Sequence, residues 1–342
     1  MAEPDHSAAL LVDLRTLLNN PGLTFAEAPG RLTGGYDTTV YAFRLNLPDG
    51  PFGERLVARI FRGDEGNRAL REAAIHDAVA AQGYPAPTTL HVAPGGGAVG
   101  RPYFIMRRAP GRTLLAAGPF GIPARLAAAH AALHALNTAA IRESLRNAGQ
   151  PGALDGAESW FDKADTATRQ PGMGPLRPAF DWLVANRPRA AQETLCHLDF
   201  HPLNILVHNG EVSGVIDWGN AALADPAADV AVTRVISIDA PLKVPRLLGP
   251  LFQAVRRWLA WRYTRAYERI LPLEKSALRY YEAMRCFQAM SHLSQRRLAD
   301  LAGRPGNAAG YGWSDPATIR RVTNRFRRIA GVRLEPVPEA GP

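Results

Sequence analysis

Lysine is nearly missing from this chain. Three of its 342 residues are lysine (Lys163, Lys243 and Lys275), and arginine supplies the rest of the 40 basic side chains. The formal charge of +9 therefore reflects an Arg- and Ala-rich composition. The basic residues are scattered rather than striped, so they form no track that could follow a phosphate backbone. The most basic stretch, Arg320 to Arg333, reads as one exposed helix face, and no nucleic-acid partner is expected. Cysteine is scarce as well. Cys196 and Cys286 are too few for a disulfide framework or a zinc site, which points to a reducing cytoplasm. No run of about 18 uncharged apolar residues occurs, so neither a membrane span nor a membrane partner is expected. Met1 to Asn20 lacks the basic stretch and apolar run of a secretory leader. Internal repeats are absent, and the sequence carries no mark of oligomeric state.

What is present divides into two kinds of pattern. Leu10 to Leu18 has helical spacing. Short strand-like runs follow at Arg31–Leu32, Val40–Leu47 and Leu56–Phe61, separated by Gly34–Gly35 and by Pro48–Asp49–Gly50. Asn67 to Gln82 reads as a helix that stops at Gly83, because Pro85 and Pro87 forbid its continuation. Two further strands, Thr88–Val92 and Tyr103–Met106, flank a glycine run. After Pro110–Gly111 the pattern turns helical: Ile122 to Asn137, then most of 155–186 and 240–300, with Trp160, Trp182, Trp258 and Trp261 expected in the core or lining a groove. One compact β segment, 194–217, interrupts the helices. The expected architecture is α+β and bilobal, with a small β-rich lobe over 1–107 and a larger helical lobe over 108–342. A ligand is expected in the cleft between them. Pro336, Pro338 and Pro342 suggest a tail without order after about residue 335.

The chemistry concentrates in 197–219. Asn209-Gly210 between two apolar runs is a two-residue hairpin signal, since both turn positions need positive φ. With 208 facing 211, Asn204 falls opposite Val215 and Asp217 opposite Pro202. Asn204 and Asp217 then meet at the open end of the hairpin, with Asp199 in the loop before it. Amide and carboxylate oxygens suit a hard divalent cation, above all Mg²⁺, which takes few protein ligands and completes its shell with substrate phosphates. Phosphoryl transfer needs such a metal and a carboxylate to orient the attacking hydroxyl. The spacing here is His197-Leu198-Asp199, four residues, Asn204, then Asp217-Trp218-Gly219. Protein kinases use the same order of parts.

These residues, with His201-Pro202 and the continuation Ala224-Asp225-Pro226-Ala227-Ala228-Asp229, resemble the aminoglycoside phosphotransferase family of kinase-like enzymes. The resemblance spans most of the chain and fades before about residue 30 and after about 235. It implies a protein-kinase-like fold and transfer of a γ-phosphate from ATP, or GTP, to a hydroxyl of a small molecule. It implies Asp199 as catalytic base, Asn204 and Asp217 as Mg²⁺ ligands and His197 as a packing residue of the catalytic loop. Asp229 would brace that loop from the following helix. His201 would either touch phosphate or shape the loop. Asp225 would cap the helix at Pro226 or serve the site.

The first lobe should then hold the nucleotide. Gly34 and Gly35 stand where a phosphate-covering turn belongs, without the full G-x-G-x-x-G. Arg59, in Leu56-Val57-Ala58-Arg59-Ile60-Phe61, stands where protein kinases place lysine, and Glu72, with Glu65 as the alternative, would be its partner. Met106, Arg107 and Arg108 are the adenine-contact candidates, ahead of Pro110-Gly111. Three competing readings follow from the same residues. Arg59 in place of lysine allows a nucleotide-binding scaffold without turnover, and the net charge allows a polyanion binder. His197, Asp199, His201 and His208 mimic a metallohydrolase cluster that leaves Asn204 and Asp217 without a role. No Ala-Pro-Glu and no activation segment follow Asp217, which argues against a protein kinase. Acidic residues are sparse past 235, which argues against a polycationic acceptor.

Overall fold

The structure is a computed structural model that describes residues 5–32, 38–48, 50–63, 65–117, 121–154, 157–189, 193–241, 248–304, 306–308 and 310–339, with backbone alone at 157–159. The elements in chain order are α1 (Ser7–Leu17), β1 (Phe25–Leu32), β2 (Thr38–Leu45), β3 (Arg55–Phe61), α2 (Gly66–Ala80), β4 (Thr89–Ala93), β5 (Tyr103–Arg107), β6 (Arg112–Thr113), α3 (Ile122–His134) and α4 (Thr138–Asn147). They continue with α5 (Ala157–Thr168), α6 (Arg177–Ala185), β7 (Thr194–Cys196), β8 (Ile205–His208), β9 (Glu211–Val215), β10 (Ala222–Ala224), α7 (Pro226–Asp239), α8 (Gly249–Glu268), α9 (Lys275–Leu301) and α10 (Pro316–Ala330). The chain mixes a β-sheet N-terminal region with a mainly helical remainder. It forms two compact units, one from Met1–Ala117, Asn137–Ala153 and Leu203–Gly219, the other from Gly118–Leu136, Leu154–Pro202 and Asn220–Pro342. Among the described residues no helix is long and apolar enough to cross a membrane.

The first unit is built on an antiparallel sheet ordered β1-β2-β3-β5-β4. Strand β3 is buried on both faces, and its period-2 alternation sorts its side chains. Leu56, Ala58 and Ile60 join Leu10 and Leu14 of α1, with Tyr103 and Ile105 of β5. Val57 and Phe61 join Ala69 and Ala73 of α2, with Phe104 and Met106 of β5. Arg59, midway between Val57 and Phe61, must therefore point to the α2 side. On α2, Ala69, Glu72, Ala73 and His76 form one buried stripe at helical spacing, so Glu72 is the charge delivered to that side.

A second sheet, β6-β8-β9, belongs to the same unit. Asn209 and Gly210 have φ of 50° and 88°, as the hairpin reading requires. The expected register holds only next to the turn. His208 pairs with Glu211 and Val207 with Val212, but Leu206 pairs with Gly214 and Ile205 with Val215. Val215 thus faces Ile205, not Asn204. The cause is a bulge at Ser213, which the ladder skips; its hydroxyl donates to the Pro110 carbonyl at 2.6 Å. The extra residue shifts the far end by one position. The Ile216 N–H still reaches the Asn204 carbonyl at 3.0 Å, so Asn204 and Asp217 do close the open end together.

The second unit carries the short pair β7–β10 and helices α3 and α5 to α10. Its core joins Phe180 and Leu183 of α6, Phe287 and Met290 of α9, and Val322 and Phe326 of α10. Trp160 and Trp182 pack on this core as expected. Trp258 and Trp261 do not: they are 53% and 54% exposed. Helix α8 buries Arg256, Ala260, Tyr263, Thr264 and Tyr267, one side of a helix, and this turns 258 and 261 outward. The tail is also more ordered than its prolines suggested. Leu334 and Val337 are buried in the core, and the Val337 N–H donates to Ser294 Oγ at 3.0 Å.

Within the first unit, Gly111 approaches β8 at a place where no side chain fits. Its φ is 99°, and a Cβ would collide with the Val207 carbonyl of β8. Gly111→Ala is expected to lower the unfolding free energy by at least about 2 kcal/mol, read from urea denaturation. An unchanged midpoint would overturn the close approach.

Candidate functional site

Within the first unit, Arg59 joins two carboxylates. Its Nη2 donates to Asp217 Oδ1 at 2.7 Å, and its Nε lies 3.3 Å from Glu72 Oε1. Glu72 is wholly buried and the Arg59 side chain is 10% exposed, so a charge pair here is sheltered from solvent screening. Complete burial pushes the Glu72 carboxyl up to about 7. The Arg59 guanidinium pulls against that shift, and the Asp217 carboxylate adds to it. The partner of Arg59 is thus Glu72. The alternative, Glu65, pairs instead with Arg68 at 3.2 Å.

Asp217 adopts φ of 69°, a left-handed conformation that costs a residue with a Cβ about 1–3 kcal/mol. Its surroundings hold it there. Trp218 is fully buried against His76 and Tyr84, and its Nε1 donates to the Val215 carbonyl at 3.0 Å. Arg71 donates to the Gly219 carbonyl at 2.8 Å and to the Ala153 carbonyl. Sequence reasoning passed over Arg71, although it adjoins Glu72 on α2. Asn204 is buried, and its backbone carbonyl accepts from the N–H of Ile216, the residue before Asp217. Amide and carboxylate oxygens make a donor set that fits Mg²⁺.

The remaining nucleotide candidates divide. Met106 turns its side chain into the core between β3, β5 and α2. The Arg107 N–H donates to the Thr88 carbonyl at 3.0 Å and the Arg108 N–H to the Arg55 carbonyl at 2.9 Å. The Arg107 side chain meets Glu54 at 3.2 Å. Gly34 and Gly35 lie outside the described residues.

Within the second unit, residues 197–201 form a loop after β7 that is held at successive points. Asp229, fully buried on α7, accepts from the His197 N–H at Oδ2 and from the Leu198 N–H at Oδ1, the latter at 2.8 Å. Thr233 Oγ1 donates to the Phe200 carbonyl at 2.7 Å. Leu198 has φ of 59°, unusual for a leucine. His197 is fully buried with its ring edge on Phe200 at 5.8 Å. Asp199 is partly exposed, and His201 Nε2 lies 3.5 Å from its Oδ1. Burial would raise the Asp199 carboxyl, but the contact with His201 and the nearby His197 and Arg285 bring it below the ordinary value, so it is ionised at neutral pH. Asp225 caps α7, accepting from the Ala227 N–H at 2.8 Å ahead of Pro226.

Behind Asp229 stand two residues that the sequence reading passed over as part of an Ala/Leu helix. His130 Nε2 and His134 Nε2 lie 3.0 and 3.4 Å from Asp229 Oδ2. Among the described residues, these three are the group of His, Cys, Asp or Glu close enough to share an ion, and His197, Asp199, His201 and His208 are not part of it. Burial pushes the His130 imidazole down to about 4, against the pull of Asp229. Burial would raise the Asp229 carboxyl, but His130 and His134 hold it well below the usual carboxylate range.

A family model described as the phosphotransferase enzyme family matches residues 30–273. Acyl-CoA dehydrogenase family member 10 of Mus musculus is 29% identical over 191 residues, covering 52% of this chain and 18% of that protein; the chain spans less than a fifth of its relative's length. A Ralstonia eutropha JMP134 protein assigned as an aminoglycoside phosphotransferase superposes with a TM-score of 0.61 at 20% identity, covering 94% of this chain and 98% of that one. A thermostable mutant of aminoglycoside phosphotransferase APH(4)-Ia, in ternary complex with ADP and hygromycin B, superposes at 0.57 and 20% identity, covering 93% and 97%. Macrolide 2'-phosphotransferase MphH from Brachybacterium faecium does so at 0.55 and 18%, covering 90% and 98%. At these identities the likeness to solved structures establishes the fold.

Two outcomes are expected from this geometry. Arg59→Ala strands two carboxylates and should cost on the order of 3 kcal/mol in urea unfolding, with Arg59→Lys costing much less. Equal losses would mean that charge is not what the site needs. The second concerns pH. The His130 value lies below its ordinary 6.5, so the unfolded chain binds a proton between pH 6.5 and about 4 that the folded chain refuses. The stability this group contributes is present above pH 6.5 and is lost as pH falls across that window. The thermal midpoint of His130→Gln should therefore vary less steeply there than that of the parent protein, and parallel curves would refute the assignment.

Proposed function

The chain belongs to the phosphotransferase enzyme family, and on that premise we propose that it is an ATP-dependent, Mg²⁺-assisted kinase of a small-molecule hydroxyl with Asp199 as catalytic base. The observation that carries this reading is the Arg59 bridge between Glu72 and Asp217. An arginine held between a wholly buried glutamate and the carboxylate of Asp-Trp-Gly stands where phosphate and metal chemistry would need a cation, and this supports the kinase reading. The ADP and hygromycin B held by the APH(4)-Ia complex support the same class of reaction.

In this reading Arg59 meets the nucleotide phosphates, and Glu72 fixes its direction. Asn204 and Asp217 supply the oxygens that would hold Mg²⁺, which when bound neutralises phosphate charge. Asp217 must then share its carboxylate with, or yield it from, Arg59. With the Arg107 and Arg108 N–H groups engaged and Pro110 lacking one, the N–H of Ala109, two residues past β5, is the candidate donor to adenine. Asp199, ionised, accepts the proton of the acceptor hydroxyl as that oxygen bonds the γ-phosphorus, and ADP leaves with the electrons of the broken P–O bond. His201 keeps the Asp199 carboxylate charged until then.

The acceptor is uncharged or anionic. Past residue 235 every acidic side chain already has work. Asp239 pairs with Arg325, and Glu282 with Arg325 and Arg234. Glu274 and Asp315 cap helices, and Asp300 accepts three backbone N–H groups between 306 and 308. Glu268, Glu335 and Glu339 face Arg265, Arg333 and Arg297. Little carboxylate charge is left for a polycation.

The test is nucleotide consumption with Mg²⁺ over a panel of hydroxylated metabolites and antibiotics, comparing the parent protein with Asp199→Ala. Turnover with one acceptor, reduced about a hundredfold or more in the variant, is the expected result. Mg·ATP binding without turnover on any acceptor, unchanged in the variant, would favour the scaffold reading. No nucleotide binding at all would refute both.

A further inference from the structure

The loop that carries Asp199 has an unusual foundation. Asp229 is buried completely, yet it remains a carboxylate. Its Oδ1 receives the N–H of Leu198, and its Oδ2 receives the N–H of His197 and faces both His130 and His134. The two histidines lie one turn apart on α3 and are themselves oriented from α8. His130 Nδ1 lies 2.6 Å from the Tyr263 hydroxyl, and His134 Nδ1 lies 2.6 Å from the Tyr267 hydroxyl. Tyr263 and Tyr267 are also one turn apart, so the i, i+4 spacing of one helix matches that of the other.

The partners assign the proton positions. A tyrosine hydroxyl at 2.6 Å from Nδ1 can donate to it, which leaves the proton on Nε2 and directs it at Asp229. For His134 this is a long hydrogen bond at 3.4 Å. For His130 the 3.0 Å approach is bent, and its attraction is mainly electrostatic. His130 has a second role. Its ring stacks on Phe200 with centroids 4.0 Å apart and planes at 19°. Phe200 directly follows Asp199, as Leu198 directly precedes it.

The strain makes these contacts necessary. Leu198 sits at φ of 59°, where a leucine relaxes unless its surroundings over-determine it. The Asp229 carboxylate must keep one orientation to hold both N–H groups, and two imidazoles on Oδ2 oppose its turning away.

We infer that His130 and His134, oriented by Tyr263 and Tyr267, are positioning residues for Asp199: they lock the rotamer of Asp229, which holds Leu198 in its left-handed conformation, and His130 seats Phe200. The role assigned to Asp199 rests on the phosphotransferase reading; the lock on the loop does not. Hydrogen-bond distances on both ring nitrogens, and two backbone N–H groups already on the carboxylate, make this cluster a proton-matched clamp rather than an ion site.

The experiment uses the full chain and four variants: His130→Leu, His134→Leu, His130→Gln and His134→Gln. Glutamine keeps an N–H near the Nε2 position, and leucine removes it. Two readouts are taken from each. The first is hydrogen exchange of the amides of His197 and Leu198, referenced to the β2 and β3 amides as a control for global stability. The second is steady-state kinetics with the acceptor found for the parent protein. The leucine variants should lose about tenfold or more of the protection at 197 and 198 while the β2 and β3 amides keep theirs. Their kcat should fall about thirtyfold with the nucleotide KM unchanged, because a misplaced base costs chemistry and not binding. The glutamine variants should recover most of both. If the leucine variants do not fold, Tyr263→Phe with Tyr267→Phe removes the orienting hydroxyls and is read the same way. Unchanged protection at 197 and 198, or glutamine variants as impaired as the leucine ones, would overturn the clamp. If the parent turns over no acceptor, exchange alone decides. Loss of protection then upholds the clamp while the phosphotransferase reading falls, and unchanged protection removes the clamp.

Discussion

A buried carboxylate has to be answered, and the answer organises the second unit. Asp229 lies out of reach of water, where an ionised group without partners would cost several kcal/mol. Satisfying it recruits α3, α7, α8 and the loop after β7 at one point. The helices contribute side chains at helical spacing, and the loop contributes backbone N–H groups. That loop could not otherwise persist, since a leucine with positive φ gives up its conformation readily. The electrostatic requirement of one side chain thus becomes the geometric specification of its neighbours.

The first unit solves a related problem with the opposite charge. Arg59 stands on the interior side of a central strand, where burial of a guanidinium is unfavourable without acidic partners. Glu72 from the facing helix and Asp217 from the end of the hairpin provide them. An arginine suits this position in a chain nearly devoid of lysine. Its planar fork reaches two carboxylates at once, which a lysine ammonium does with less directional definition. The arrangement ties sheet, helix and hairpin end into one network.

Much of this was legible in the sequence, and what was not has physical reasons. The hairpin turn at Asn209-Gly210 and the helix cap at Asp225 follow from local rules, positive φ and orphan N–H groups, whereas the Arg59–Glu72 pairing was implied by the family resemblance and not by spacing. The bulge at Ser213 does not follow from local rules; the Pro110 carbonyl that its hydroxyl meets lies about a hundred positions away in the chain. Trp258 and Trp261 were expected in the core or lining a groove; they lie outside the core because α8 buries the side that carries Arg256. Arg256 donates to the carbonyls of Ile236, Ser237 and Ala240 that end α7. The histidine–tyrosine pairs could have been noticed as matched i, i+4 spacings on two helices. Nothing local, however, says that the two helices face each other across one aspartate.

The commitment of the C-terminal acidic residues has a consequence for how this chain can change. Every one of them caps a helix, anchors a turn or faces an arginine. Asp239 and Glu282 share Arg325, with each contact near 3 Å or shorter. Freeing Asp239 or Glu282 to recognise a new cationic group would leave Arg325 or Arg234 short of a sheltered partner. A lineage drifting towards polycationic acceptors would therefore have to add new acidic residues rather than redeploy old ones. Evolvability in that direction is limited by the scaffold, while gains in apolar or hydroxyl recognition leave the ion pairs untouched.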